Sequence, residues 1–484
     1  MKNLLSAKEN RQLALLEVLI EKKQCTLSYA SQRIGYTERT LSDDVKQINN
    51  YIAPSKIITK NNGLSLSIPL YSSSREIYSN FVKYSREYQL LLFLLEHEPK
   101  TLEDFADSLY LSASTVKRTI SQLNVILQEY NIKIESSSIR LIGDERAISL
   151  FYTAILNETN YASNYFLDDT QITILSNLCK LAAKKLHFKL NYPDLIKLVL
   201  WTYVRIARIC HGHLLNEEEP AKNTAFPFDI EQPLADAFFS LFGIQLDENV
   251  MGDIFSFFLH RGYARSMDDI RKIIQASPTH KTIYEQIEKT LRQIASYLGI
   301  STDETGDLFV DLFNILQISK VPLFELYSKN KIFNEMFREK NEFIYHAVSS
   351  AVSEFFPQLS NENEYHAIVY ILLTHWPKLV DRAYETASSV RVGILFDSDV
   401  EHAQLVPDIL NIDSDIKINI VILSPIPWVE YDSVLQNVDV LVTNIPEFSS
   451  VSSAVICVQE YPSEQDSENV SNAIKKQHRI NLIS

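Results

Sequence analysis

The chain has 484 residues, 46% of them hydrophobic and 22% charged, with a formal net charge of −15. Such a composition excludes a disordered or fibrous chain, and the acidity excludes a protein that coats nucleic acid over its whole surface. The charge is uneven: residues 1–150 hold 19 lysines and arginines against 17 carboxylates, the remainder 27 against 44. A locally basic patch is therefore expected only in the first third.

Three helices are expected near residues 9–23, 27–35 and 38–52, with Thr26 and Thr37 as N-caps whose hydroxyls accept from orphan first-turn N–H groups. Residues 56–68 follow, a β-branched alternation around Asn62-Gly63, which signals a two-residue hairpin turn. The pattern then returns. A shift of 75 residues lays Thr101-Leu102 on Thr26-Leu27, Ser112 on Thr37, and Thr115 on Thr40. The same shift lays Val116, Ile120 and Leu123 on Leu41, Val45 and Ile48, and Arg86 on Arg11. Helices are expected near 86–98, 102–110 and 113–130, and strand, polar turn and strand over 132–143. Three helices and a hairpin make a winged helix, here twice in tandem.

In the second unit Val116, Ile120, Leu123 and Leu127 form one apolar stripe at about 100° per residue, with Ser114, Lys117, Arg118 and Ser121 opposite. Small hydroxyls and cations on an outer helix face suit a major groove and its phosphates. Alone, this stretch reads equally well as an amphipathic surface helix; the repeat and the hairpins favour a DNA reader. The DNA-contact candidates are Ser114, Thr115, Lys117, Arg118 and Ser121 in the second unit and Arg39, Thr40, Ser42 and Lys46 in the first, with Lys60 and Asn62 at the first wing tip. Lys117 and Arg118 have Ser42 and Asp43 as counterparts, with Asp44 alongside. Carboxylates near phosphates repel, so the second unit is expected to supply more of the affinity.

From about residue 145 the chain reads as helical. Residues 195–209 are apolar nearly all round and form a core helix; others are expected at 147–156, 234–242 and 251–260. A polar break at 275–279 separates these from helices at 283–298, 304–318, 333–356 and 364–373. Short β-branched runs at 390–396, 418–423, 438–442 and 454–458, with helices at 399–410 and 467–478, imply a small open α/β sheet. The expected class is mainly α, divided as 1–70 and 71–146 (winged helices), 147–277 and 278–386 (helical blocks) and 387–484 (α/β). The four cysteines form no close pair, which favours a reducing, cytoplasmic setting without structural zinc or disulfides. No run approaches 18 uncharged apolar residues, so no membrane span is expected.

This order of domains resembles the Mga/AtxA type of transcriptional regulator of Gram-positive bacteria. The residues that carry the resemblance are 101–124, the wing at 132–145 and the stretch WTYVRIARICHGH at 201–213. The last is similar to the conserved helix of a sugar-phosphotransferase (PTS) regulation domain, a histidine followed by Phe-Ala-x-x-Arg and a glycine. Arg208 and Gly212 match; the motif histidine falls on Trp201. The family implies control through histidine phosphorylation by phosphocarrier proteins of that system. Here the candidates are His211 and His213, just after the core helix, and His375, in a stretch similar to the second conserved motif; His260 is weaker. The C-terminal domain resembles the EIIB component of sugar transporters, whose phosphorylated cysteine lies after the first strand. Here that loop is Asp397-Ser398-Asp399, which argues for a scaffold of self-association instead. The expected partners are double-stranded DNA, a second copy of the chain and the phosphocarriers, with no cofactor, metal or membrane. Two alternatives stand beside this: an RNA-binding antiterminator, which would begin with a β-rich domain, and a phosphotransferase component, which would need a phosphorylatable residue in the acidic loop. No catalytic motif such as GxSxG, Walker A or HExxH is present.

Overall fold

The computed structural model describes residues 5–60, 63–98, 101–136, 139–159, 167–215, 230–260, 262–318, 328–359, 362–386, 389–410, 418–423, 435, 437–446 and 453–483. The first unit contains α1 (Ala7–Lys22), β1 (Gln24–Thr26), α2 (Leu27–Ile34), α3 (Glu38–Tyr51), β2 (Lys56–Lys60) and β3 (Gly63–Ser67). Ser6 and Glu9 form a capping box on α1, and Thr26 and Thr37 cap α2 and α3 through the N–H groups of Tyr29 and Thr40. Such caps are each worth about 1 kcal/mol. Lys60 pairs with Gly63, so two residues connect the hairpin. The short β1, absent from the sequence reading, pairs with β3 and makes a three-stranded sheet of order β1-β3-β2.

The second unit repeats the helices: α4 (Ser74–Lys83) leads into α5 (Arg86–Glu96), α6 (Leu102–Ser108) and α7 (Ala113–Leu127). Thr101 and Ser112 are the N-caps of α6 and α7, at the 75-residue spacing from Thr26 and Thr37. Its wing is β4 (Ile132–Glu135) with β5 (Arg140–Gly143). Gly143 closes the wing at φ +145°, where an added Cβ would lie 2.5 Å from the carbonyl oxygen of Asn131, so no other residue fits without a shift.

Helices α8 (Glu145–Thr159), α9 (Asp169–Leu186), α10 (Tyr192–Cys210), α11 (Gln232–Phe242), α12 (Glu248–Ile254), α13 (Ser256–Leu259) and α14 (Met267–Ala276) follow. The single helix expected over 251–260 is interrupted at Phe255. One apolar core runs from Val82 through Leu123, Phe151 and Val204 to Phe255, so the second unit and α8–α12 share their interior. The first unit has a separate core, which includes Leu16, Leu41 and Ile48 and to which Phe81 of α4 contributes.

The polar break expected over 275–279 contracts to Ser277. Pro278 opens α15 (Pro278–Leu298), where its missing N–H costs nothing because a first-turn N–H has no helical partner anyway. Beyond it lie α16 (Gly306–Ile318), α17 (Lys329–Lys340), α18 (Glu342–Phe355), α19 (Glu362–His375) and α20 (Leu379–Thr386). The helix expected over 333–356 is two helices, broken at Asn341 (φ −128°, ψ 52°). The C-terminal region alternates β6 (Val390–Leu395), α21 (Val400–Leu410), β7 (Ile418–Ile422), β8 (Val440–Thr443), β9 (Ala454–Cys457) and α22 (Glu464–Ile483). Its four strands are parallel in the order β7-β6-β8-β9. The inner strands β6 and β8 are almost wholly buried, which explains their unbroken apolar runs.

The molecule is thus mainly helical with a small C-terminal α/β part, as the sequence leads one to expect. It divides into two compact units, Met1–Lys281 with Phe313–Lys331 and Ser360–Tyr365, and Thr282–Leu312 with Ile332–Leu359 and His366–Ser484. Among the described residues no helix is long and apolar enough to cross a membrane.

Candidate nucleic-acid interface

On α7 the inward side chains are Val116, Thr119, Ile120, Leu123, Ile126 and Leu127. Ser114, Lys117, Arg118 and Ser121 are exposed and Thr115 is half-buried. The Ser112 hydroxyl accepts from the Thr115 N–H and lies 2.7 Å from the Thr115 hydroxyl and 3.0 Å from that of Ser114, so three hydroxyls gather at the start of the helix. Helix α3 presents Arg39, Asp43 and Lys46 as exposed side chains and Thr40 and Ser42 as half-buried ones. Thr40 repeats the arrangement of Thr115, with its hydroxyl 2.9 Å from that of Thr37. Lys46 approaches Asp43 at 3.4 Å, and both stay well exposed, so this pair adds little stability.

One expectation needs correction. Asp44 does not face outward with Asp43; it is 2% exposed. Arg11 grips it with two donors at 2.6 and 3.0 Å, and the Gln12 side-chain amide donates at 3.0 Å. Three residues after Leu41 and next to Val45, it falls on the inward side of α3, so of the adjacent pair only the Asp43 carboxylate faces outward.

Each wing is fastened to its helix by one asparagine that the sequence reading did not single out. Asn49 donates to the Ile57 carbonyl at 2.9 Å and accepts from the Ile57 N–H at 2.7 Å. Asn124 does the same to Ile134, at 2.9 and 2.7 Å. The two lie 75 residues apart, so the repeat itself carried the signal. At the wing tips Lys60 and Ser136 are exposed, whereas Asn62, Ser137 and Ser138 lie outside the described residues.

Behind the second unit lies a buried ionic cluster. Arg205 and Arg208 of α10 are both fully buried. Arg205 binds Asp253 at 2.7 and 3.0 Å, Glu145 at 3.0 Å and the Ser149 hydroxyl at 2.8 Å. Arg208 holds Glu145 at 2.8 and 2.9 Å and reaches Glu98 at 3.4 Å. Glu145 opens α8 directly behind the wing, and Glu98 follows α5. Two arginines in a helix apolar nearly all round must be paired to be tolerated, and that is the signal of the cluster in the sequence.

The three candidate phosphohistidines are unlike one another. His211 is half-buried, with Nε2 3.0 Å from the Glu96 carbonyl. His213 pairs with Glu98 through Nε2, and its carbonyl accepts from Arg205. His375, at the end of α19, is the most exposed, at 45% of its side chain, and its Nδ1 lies 2.9 Å from Asp311. Trp201, at the place of the motif histidine, is buried and donates to the Ile254 carbonyl at 2.7 Å. His260 places Nδ1 3.0 Å from the Gly262 N–H. After β6, the Asp397 carboxylate accepts from Asn444 at 2.6 Å, and the Ser398 hydroxyl lies 2.7 Å from His402. Cys457 is exposed at the end of β9. Among the described residues no three His, Cys, Asp or Glu side chains are placed to hold a metal ion.

Comparison with known proteins agrees with a helix-turn-helix in the second unit. Residues 70–156 match the Mga helix-turn-helix domain. A putative trans-acting regulator of Streptococcus pneumoniae serotype 4 (strain ATCC BAA-334 / TIGR4) is 24% identical over 424 residues, 85% of this chain and 86% of that protein. The capsule synthesis positive regulators AcpA and AcpB of Bacillus anthracis are 24% identical over 213 residues (43% of this chain, 44% of that protein) and 25% over 145 residues (29% and 30%). A helix-turn-helix match at 70–156 and relatives named as regulators, one of them aligned over 85% of the chain, support a transcriptional regulator similar to the Mga/AtxA type.

Proposed function

We propose that the chain binds double-stranded DNA through both winged helices, with the second supplying more of the affinity, and that it acts as a homodimer. The observation that carries this is the duplicated reading head. Two helices with matched hydroxyl caps, each clamped to a wing by an asparagine, turn polar and basic faces outward. Lys117 and Arg118 meet phosphates or guanine edges in the second unit. Arg39 and Lys46 serve the first, with the Asp43 carboxylate lowering its net pull. Lys60 touches the backbone from the wing tip. The acidic remainder repels DNA and confines contact to these faces.

The regions 147–277 and 278–386 act as regulation domains and 387–484 as an EIIB-like scaffold for self-association. Of the three histidines, His375 suits phosphorylation by phosphocarrier proteins best. It is open to solvent, and Asp311 orients its ring. His211 and His213 are engaged against Glu96 and Glu98. A phosphoryl group adds up to about two negative charges, enough to re-sort helix contacts.

Gel shift and footprinting with the full-length protein test the DNA reading. Four reading helices per dimer predict protection longer than one half-site. Failure to bind any promoter duplex at low salt, or protection of a single half-site, sinks it. Mass spectrometry after incubation with purified phosphotransferase proteins tests the regulatory part, with His375 the expected acceptor. An unmodified chain would reduce the helical regions to architecture.

A further inference from the structure

Helix α7 leaves one large apolar side chain outside. Val116, Ile120, Leu123, Ile126 and Leu127 are at most 7% exposed, whereas Val125 is 71% exposed. Its position is specific. Ser114, Arg118, Ser121 and Val125 stand at i, i+4, i+7 and i+11, which places them in one row along the outermost line of the helix, opposite Val116 and Leu123. The row is about 16 Å long at 1.5 Å per residue, which spans roughly five base-pair steps of a groove. Three members are polar groups able to hydrogen-bond to base edges or phosphates. The fourth can do neither.

The apolar feature of the major groove is the C5-methyl group of thymine, and small aliphatic side chains meet it by direct contact. We propose that Val125 is a specificity residue of the second unit that reads a thymine methyl group, in line with Arg118 and Ser121. The proposal rests on the DNA-binding reading above and deepens it. The equivalent row of α3 is Arg39, Asp43, Lys46 and Asn50, and Asn50 is exposed. An asparagine there offers a donor and an acceptor, the pattern that suits adenine. The four outward positions differ in chemistry at every step, so the two units of one chain read unlike sequences, and the site is not a direct repeat.

The test uses the full-length protein and a duplex chosen by selection from a random-sequence pool. Each thymine under the second unit is replaced in turn by deoxyuracil, which removes the methyl group and nothing else. One or two positions should then weaken binding by about three- to fourfold, the worth of one buried methyl group. In the Val125→Ser variant the same replacements should be silent, and the salt dependence should keep its slope because no phosphate contact is lost. Tight wild-type binding that is indifferent to every deoxyuracil overturns the proposal while leaving the DNA reading intact. A Val125→Ser variant that changes oligomeric state and keeps its methyl sensitivity assigns the valine to a protein surface and also overturns it. Absence of binding to any duplex would remove the DNA reading itself.

Discussion

In the first winged helix the buried carboxylate of Asp44 is met from within the same unit, by Arg11 and Gln12 on α1. In the second, position 119 holds a threonine whose hydroxyl donates to the Thr115 carbonyl, and Arg86 and Glu87 stand where Arg11 and Gln12 do. The charges that fix the second unit lie instead across its back, where Arg208 joins Glu98 and Glu145 to α10. The buried carboxylate of one unit is satisfied within that unit; the other unit is tied by ion pairs to the helical region behind it. A duplicated fold can therefore keep its reading head while its attachment changes, and the second copy is the one whose ion pairs reach α10.

Arg208→Ala should draw this distinction most sharply. Removing one partner of a buried ion pair costs about 3–5 kcal/mol. Urea unfolding should show a loss of that size, with hydrogen exchange rising in α5–α7 and unchanged in α1–α3. Equal loosening of both units would break the comparison. The Lys117→Ala, Arg118→Ala double variant should come next. If each side chain meets a phosphate, the slope of log affinity against log salt falls by about 1.8, whereas Arg39→Ala removes about 0.9. A larger effect from Arg39→Ala would reverse the ranking of the units.

Asn124→Ala and Asn49→Ala test what the units share. Each leaves an Ile N–H and carbonyl without their partner, at a cost of about 1–3 kcal/mol. The two losses, read by thermal unfolding, should agree closely. The smallest expected effect concerns Glu87, which is 4% exposed. Burial, and then the neighbouring Glu9, push its carboxyl up to about 7. The folded chain keeps this proton after the unfolded chain has lost its own, so stability falls as pH rises from the ordinary carboxyl range to about 7. Glu87→Gln, which copies Gln12, should flatten that decline and raise the Tm above wild type at pH 8; an unchanged profile would show that Glu87 carries no proton there.

The sequence made most of this frame legible, because its signals are local or repeated. Thr26, Thr37, Thr101 and Ser112 announce helix starts, the stripe from Val116 to Leu127 announces the buried face of α7, and β-branched runs mark the parallel strands. What it hid depends on contacts between distant residues. Asp44 looked like a surface carboxylate because Arg11 lies 33 residues away. The Glu145 partners of Arg205 and Arg208 are 60 and 63 residues away and leave no periodic trace. Val125 is hidden for the opposite reason: it is an apolar residue in an amphipathic helix, and only its angle, not its type, sets it outside.

The core that runs without a break from Val82 to Phe255 bears on how this molecule tolerates being cut. A fragment ending at residue 146 would keep the whole second reading head yet lose the guanidinium groups that hold Glu98 and Glu145. It would also lose Phe151, Tyr152 and Val204 from its interior. Protease nicking or a gene fusion at that point should yield a molten stub. A fragment built to keep the second unit folded should therefore extend beyond Phe255. With one shared core, the second reading head and the helices behind it should unfold together.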